Sequence, residues 1–228
     1  MNWLRARLSS AFPQYAIMTT LQASDVKAIF ASLDKVMADN REYLIELDAK
    51  VGDGDLGLTM TKGFSAAVKT LSTLEEQDVG QLMAKAGMAI AQAAPSTMGT
   101  LVGSGFMKAG KAVKGKTELA LPDLSEAMTQ FVEGLMARGK AKPGEKTIID
   151  ALHPAAQALQ HAVMDDMSLE EGLSNAYDAA RQGLEATKEM VPQHGKQVPH
   201  REKSRGLQDP GATVGVLIMQ VFAEYVTN

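Results

Sequence analysis

Three aspartates stand within eight residues of one another in a glycine-rich stretch of the sequence. Asp48, Asp53 and Asp55 are interspersed with Gly52 and Gly54. Because glycines let the backbone fold tightly, the three carboxylates can converge on one point. Converging carboxylates repel one another unless a hard cation neutralises them, and carboxylate oxygens are the ligands that Mg²⁺ prefers. The stretch is a candidate metal site, although on composition alone a solvated turn fits it at least as well.

A second candidate is a phosphate-binding loop. Residues 110–117, Gly-Lys-Ala-Val-Lys-Gly-Lys-Thr, match the Walker A pattern G-x-x-x-x-G-K-[ST] in full. A working P-loop follows a buried strand and opens a helix, whereas this stretch follows a helical pattern and meets Pro122 shortly after Thr117. We therefore expect a solvated helix end here, and a P-loop NTPase remains an alternative.

Other catalytic signatures are missing from the sequence. It has no Cys, its four His show no zinc-binding spacing, and it contains no G-x-S-x-G elbow. An EF-hand counted from Asp53 also fails. Gly57, Leu58 and Phe64 stand where that template needs an oxygen side chain, a Gly and a Glu. Thiolate chemistry, zinc sites and serine hydrolases of the elbow type therefore have no support.

The composition indicates a helical protein. The chain has 228 residues, of which 45% are hydrophobic but only 5% aromatic, with 14 Met. Flexible aliphatic side chains suit helical packing, since strands are enriched in aromatic and β-branched residues. The net charge of -4 offers no overall basic surface for nucleic acid, and no run of about 20 apolar residues predicts a membrane span. Because the absence of Cys fits a reducing compartment, we expect a cytoplasmic protein.

Apolar residues recur at helical spacing along most of the chain after Thr20. The connections between these segments are rich in Gly or in polar side chains. They comprise residues 48–59, 94–104, 139–150 and 191–211. Helices of ordinary length with short connections predict an all-α bundle of about eight antiparallel helices.

The N-terminal stretch differs from the rest of the chain. The first 24 residues contain no acid and carry Arg5 and Arg7 beside apolar side chains, which faintly resembles a targeting presequence. We expect instead that residues 1–20 form an N-terminal extension. It is either disordered or the result of a wrongly assigned start, in which case the true start is Met18. Residues 21–228 are then a single helical domain.

Four motifs occur in the connections, in a fixed order. The first is Leu47-Asp48-x-x-Val51-Gly52-Asp53-Gly54-Asp55-x-Gly57-x-x-Met60 with Gly63-Phe64, and the second is Gly99-x-Leu101-x-Gly103. The third is Arg138-Gly139-Lys140-Ala141-x-Pro143-Gly144-x-Lys146-Thr147-x-x-Asp150. The fourth is Gly195, Glu202, Ser204 and Gly206 with Gln208-Asp209-Pro210-Gly211-Ala212-Thr213. From about Ser24 to its end, the chain resembles the nucleotide-binding L subunit of bacterial dihydroxyacetone kinases.

The resemblance implies an eight-helix barrel with a nucleotide and magnesium site at one end. Two Mg²⁺ ions would be held by Asp48, Asp53 and Asp55, and ADP or ATP would be the nucleotide. The implied nucleotide contacts are Leu56, Gly57, Leu58, Thr59, Thr97, Met98, Gly139, Ile148, Lys196, Asp209, Pro210 and Gly211. No catalytic side chain is assigned. The ketose would sit on a separate K subunit, the donor would be ATP or a phosphotransferase-system M subunit, and a homodimer is an expected assembly.

The sequence departs from the family pattern at four positions. Leu56 stands where His is common, Met98 where Ser is, Pro95 where Gly is, and Lys196 where Arg is usual. The first two changes remove hydrogen-bonding groups, and Lys keeps the charge of Arg without its planar fork. A kinase subunit that phosphorylates dihydroxyacetone or a related short ketose is the main hypothesis. A non-catalytic nucleotide-binding or regulatory module of the same fold is the alternative.

Overall fold

A computed structural model describes residues 18–227 of the chain. Most of the predicted N-terminal extension, residues 1–17, lies outside the described residues. Of its last three residues, Met18 packs against the core, and the Thr20 hydroxyl donates to a Glu118 carboxylate oxygen at 3.2 Å. The boundary at residue 21 stays a prediction.

The described residues are mainly helical, with very little strand. Their α-helices are α1 Ala23–Asp39, α2 Arg41–Ala49, α3 Leu56–Ser72, α4 Val79–Ala93, α5 Thr97–Ala112, α6 Leu121–Gly139, α7 Ile149–Met164, α8 Leu169–Ala186 and α9 Pro210–Thr227. Short 3₁₀ helices cover Thr187–Glu189 and Gly195–His200, and β1 Leu21–Gln22 pairs antiparallel with β2 Glu118–Leu119. All helices except the nine-residue α2 have 15 to 19 residues. The prediction of an all-α bundle is confirmed.

The eight long helices form a closed ring. Each packs against the next long helix along the chain, and α1 packs against α9. Tyr225 near the end of α9 donates its hydroxyl to a carboxylate oxygen of Asp25 in α1 at 2.9 Å. Since consecutive helices alternate in direction, α3, α5, α7 and α9 begin at the same end of the ring. We call that end the mouth.

Aromatic rings occupy the inside of the ring despite their scarcity in the sequence. Phe106 lies 5.0 Å from Phe30 and 4.9 Å from Phe131, measured between ring centroids, and meets Phe64 edge-on at 6.2 Å. All four side chains are almost fully buried. Helices α1, α3, α5 and α6 are thereby joined through one aromatic cluster, as the tilted and edge-on geometry of such rings favours.

Glycines allow α4 and α5 to approach unusually closely, a role not predicted from the sequence. A Cβ atom on Gly87 would lie 2.5 Å from the carbonyl oxygen of Gly103, and one on Gly103 would lie 2.6 Å from that of Gly87. One on Gly80 would lie 2.5 Å from the carbonyl oxygen of Gly110. The two helix backbones are therefore in direct contact at two levels.

The Walker A match lies at the end of the ring opposite the mouth. Gly110 belongs to α5. Two contacts fix the turn after α5: the Gly115 N–H donates to the Asp78 carboxylate at 2.9 Å, and Lys116 forms an ion pair with Asp123 at 2.8 Å. The motif follows a helix rather than a buried strand, so the structural context of a P-loop is missing here. Within residues 18–227, no helix combines the length and apolarity that a membrane crossing needs.

Candidate functional site

The three aspartates lie together where α2 turns into α3. Asp48 is in the last turn of α2, Asp53 is in the connection, and Asp55 immediately precedes α3. The Asp55 N–H donates to the Asp48 carboxylate at 3.1 Å, and Gly54 adopts a φ of +71°, which lets the connection reverse. One oxygen of each carboxylate lies within 4.8 Å of one from each of the others. This all-oxygen set fits Mg²⁺.

Negative charge at the aspartates is partly offset by a lysine from a distant part of the chain. Lys196 forms ion pairs with Asp53 and, at 3.2 Å, with Asp55. Its pKa is raised by the hydrogen bond to Asp53 and then by Asp55. The pKa of Asp48 is also raised, first by burial and further by the negative charges of Asp53 and Asp55. The cluster therefore attracts cations.

A cavity of about 250 Å³ opens beside the aspartates at the mouth. Besides the three aspartates, its lining includes most of the expected nucleotide contacts. These are Leu56, Thr97, Met98, Gly139, Ile148, Lys196, Asp209, Pro210 and Gly211. Gly57, Leu58 and Thr59 are not among the lining residues: Thr59 is buried, Gly57 packs on the α2 backbone and Leu58 is 49% exposed.

Four helix N-termini surround the cavity. Leu56 of α3, Thr97 of α5, Ile149 of α7 and Pro210 of α9 all belong to first turns and all line it. The unpaired N–H groups of a first helical turn carry partial positive charge and bind anions such as phosphate. The cavity thus combines carboxylates suited to a cation with helix ends suited to phosphate.

Lys146 is a site-forming residue that the sequence did not identify as one. It is 1% exposed, and its ammonium donates to the carbonyl oxygens of Thr187 at 2.7 Å, Ser204 at 2.9 Å and Leu207 at 2.7 Å. Burial lowers its pKa. The only sequence signal for Lys146 is its place in the third motif. The acceptors lie 41 to 61 residues away in the chain.

Residues 190–209, which we call the mouth segment, cross the cavity between α8 and α9. Lys196 attaches the segment to the aspartates, and His194 Nε2 lies 2.7 Å from the Glu145 carboxylate. Gln208 donates to the Tyr43 hydroxyl at 2.9 Å. Together with Lys146, these contacts hold the segment against α2 and against the loop before α7.

Asp209 ends the mouth segment and starts α9. It is 1% exposed; its carboxylate accepts from the Ala212 N–H at 2.7 Å and from the Gln197 side-chain amide at 2.6 Å. Burial raises the pKa of Asp209 to about 6, while the positive charge of Lys146 opposes that rise. Gln197 also lines the cavity and was not predicted from the sequence.

Comparison with known proteins places this geometry in a family. Residues 50–224 match the DAK2 domain. The chain belongs to the DAK2 domain family. Its similarity to the L subunit of dihydroxyacetone kinases, inferred from the four motifs, is thereby confirmed.

Two relatives illustrate the family, one named as a kinase subunit and the other as a kinase. The PEP-dependent dihydroxyacetone kinase ADP-binding subunit DhaL of Escherichia coli is 32% identical over 188 residues, 82% of this chain and 90% of that protein. The L-erythrulose kinase of Pectobacterium atrosepticum is 36% identical over 203 residues, 88% of this chain and 34% of that protein.

A solved structure shares the fold. The dihydroxyacetone kinase from C. freundii in complex with AMP-PNP and Mg²⁺ matches with a TM-score of 0.68 and 26% identity. The match covers 95% of this chain and 36% of the other, so the chain spans roughly a third of that kinase. These comparisons support a phosphotransferase of the kinase type.

Proposed function

We propose that the chain is the nucleotide-binding subunit of a kinase that phosphorylates dihydroxyacetone or a related short ketose. The observation that carries the proposal is the acidic triad beside a cavity ringed by four helix N-termini. The names of the relatives, which include dihydroxyacetone and erythrulose kinases, support the substrate class. The cytoplasm is the expected compartment.

Asp48, Asp53 and Asp55 would hold Mg²⁺ through their converging oxygens. Bound Mg²⁺ offsets the charge of the phosphates and aligns the transferred group, so little covalent chemistry is required of the protein. Three carboxylates offer enough oxygens to bridge two ions, and we propose two. The partial positive charge at the first turns of α3, α5, α7 and α9 would favour phosphate oxygens placed beside them.

The nucleoside would lie against the apolar part of the cavity wall, which includes Leu101, Leu135 and Ile148. Lys196 would have to release Asp53 and Asp55 on cation binding, because its ammonium and the cation would compete for the same carboxylate oxygens. Its flexible stem then allows the ammonium to pair with a phosphate of the nucleotide. Lys196 thus balances charge in both states of the site.

The ketose would be held by a separate K subunit that docks at the mouth, and a homodimer is the assembly we expect for this chain. The donor would be ATP or a phosphorylated M subunit. The DhaL relatives carry both PEP-dependent and PTS-dependent names, which supports the second route. Ketose phosphate formation with each donor in turn, in the presence of the K subunit, distinguishes the routes.

The decisive test is the Asp53→Asn variant with the K subunit and Mg²⁺ present. The substitution removes one charged ligand oxygen from the metal site, so we expect ketose phosphate formation to fall at least a hundredfold, about 2.7 kcal/mol of transition-state stabilisation. A coupled assay for the ketose phosphate measures it. Transfer at the wild-type rate would rule out the proposed metal role.

Lys116→Ala is the matched control, since Lys116 lies at the end opposite the mouth and should leave transfer unchanged. Calorimetric titration of wild type with Mg·ADP tests the non-catalytic alternative. Nucleotide binding without ketose phosphate formation, with the K subunit and both donors supplied, would favour a regulatory module.

A further inference from the structure

One buried polar atom of a cavity-lining side chain has no hydrogen-bond partner among the described residues. Gln197 lines the cavity, and its side-chain carbonyl oxygen Oε1 is buried yet accepts no hydrogen bond. Buried polar atoms in folded proteins are nearly always paired, because leaving one unpaired costs the desolvation of that group. An unpaired buried atom on a side chain that lines the cavity therefore points to a partner that arrives with the ligand.

The orientation of the Gln197 amide is fixed by the other half of the group. Its Nε2 donates to the Asp209 carboxylate at 2.6 Å, and an ionised carboxylate can only accept. Asp209 is itself held by the Ala212 N–H at 2.7 Å and, through its own N–H, by the Thr187 hydroxyl at 2.9 Å. The amide therefore cannot turn round, and Oε1 must face away from Asp209.

The chemistry of Oε1 limits what can pair with it. A carbonyl oxygen needs a donor, whereas the phosphate oxygens of a nucleotide at neutral pH offer none and Mg²⁺ would offer one only through its water ligands. The donors of a nucleoside diphosphate are the exocyclic amine of the base and the sugar hydroxyls. Oε1 is thus matched to the nucleoside rather than to the phosphates.

We infer that Gln197 is a specificity-determining residue that accepts a hydrogen bond from the nucleoside of the bound nucleotide through Oε1. The inference rests on the proposed nucleotide-binding function. A site with a buried acceptor penalises ligands that lack the donor, since the acceptor then stays unpaired. Lys196 and Gln197 would then divide the nucleotide between them, the first contacting phosphate and the second the nucleoside.

Nucleotide analogues that lack one donor each provide the test. Titrations of the full chain with Mg²⁺ and ADP, inosine diphosphate, 2′-deoxy-ADP or 3′-deoxy-ADP are carried out at pH 8, where Asp209 is ionised. Wild type should bind ADP about tenfold more tightly than the analogue that lacks the contacted donor. Inosine diphosphate identifies the base amine and the deoxy analogues identify a sugar hydroxyl.

In Gln197→Leu this preference should shrink to less than twofold, whatever happens to the overall affinity. A structural role alone would weaken all four nucleotides equally and leave the preference intact. If the Leu variant does not fold, Gln197→Asn takes its place. Its side chain is one methylene too short to reach both partners, so this variant should also lose the preference. Gln193→Ala, an exposed position in the same segment, is the control and should keep the wild-type preference.

Two results would overturn the inference: equal affinity of wild type for all four nucleotides, or an unchanged preference in both Gln197 variants. Failure of wild type to bind any of the nucleotides is a separate result. It would refute the proposed function itself.

Discussion

At the scale of single residues, the mouth is held by buried groups of opposite charge. Asp209 caps α9, and the Lys146 ammonium donates to three backbone carbonyl oxygens of residues 187–207. Removing either partner alone would leave the other charge buried with less compensation, which is costly. These two residues therefore link the start of α9 to both ends of the mouth segment.

The raised pKa of Asp209 predicts a pH-dependent stability. The pKa is about 6 in the folded protein, against about 3.9 in an unfolded chain. The folded state therefore binds the proton more tightly, and the free energy of unfolding contributed by this group falls as pH rises from about 4 to 6. Denaturant unfolding of wild type and Asp209→Asn at pH 4 to 7 measures it. Between about pH 4 and pH 6, the free energy of unfolding of wild type should fall by about 3 kcal/mol relative to that of the variant.

Asp178→Asn, which changes an exposed acid on α8, is the control for that series. Its free energy of unfolding should depend on pH in the same way as that of wild type. Parallel curves for Asp209→Asn as well would mean that Asp209 has an ordinary pKa in the folded protein.

Residues close in sequence were predicted better than residues brought together by folding. Asp48, Asp53 and Asp55 lie within eight residues of one another, so their spacing allowed the convergence seen in the structure and the family resemblance favoured it over a solvated turn, while the metal itself stays a prediction. Lys146 and Gln197 act through partners that are distant in the chain. Nothing local marks such contacts.

At the scale of elements, helix periodicity predicted most of the helices, but the connection predicted at residues 94–104 is wrong from residue 97 onward, where α5 begins. Capping signals were less uniform. Ser168 followed by Glu171 predicts a helix start, and α8 begins at Leu169 with both capping bonds formed. Ser24 likewise predicts an N-cap, but the N-cap of α1 is Gln22, two residues earlier, and the Gln22 N–H donates to the Asp25 carboxylate at 2.7 Å. The β1–β2 pair was missed because two-residue strands show no alternation.

The close approach of α4 and α5 predicts that their glycines tolerate no side chain. In Gly87→Ala the new Cβ would meet the Gly103 carbonyl oxygen at 2.5 Å and the Met107 nitrogen at 2.8 Å, both backbone atoms. The helices must then separate, so we expect a loss of about 2 kcal/mol in the free energy of unfolding, after a helix-propensity gain of up to about 1 kcal/mol. Urea unfolding measures this loss.

Gly63→Ala in α3 is the matched control for that substitution. Its Cβ would meet only the Ile90 side chain closely, at 3.1 Å, and a side chain can adjust. We expect a change within about 1 kcal/mol. Equal stability of the Gly87 and Gly63 variants would show that α4 and α5 are not in backbone contact.

At the scale of the whole molecule, alternation of helix direction builds the site. An even number of long helices in a closed ring brings four N-termini to the mouth, and the short α2 adds the acidic connection beside them. Binding groups therefore come from all along the chain. Hydrophobic periodicity can predict the helices but not their arrangement in a ring, which depends on contacts such as that between α1 and α9.

Ring closure also separates the order of the helices in space from their order along the chain. Because α1 and α9 are neighbours, Thr227 could be joined to Met18 by a short glycine-serine linker, and the chain reopened between the exposed Asp165 and Asp166, far from the mouth. Such a circular permutant would begin with α8 yet keep every contact at the mouth. We expect its affinity for Mg·ADP, measured by calorimetry, to stay within about twofold of wild type. A large loss would mean that the native chain order is needed to assemble the site.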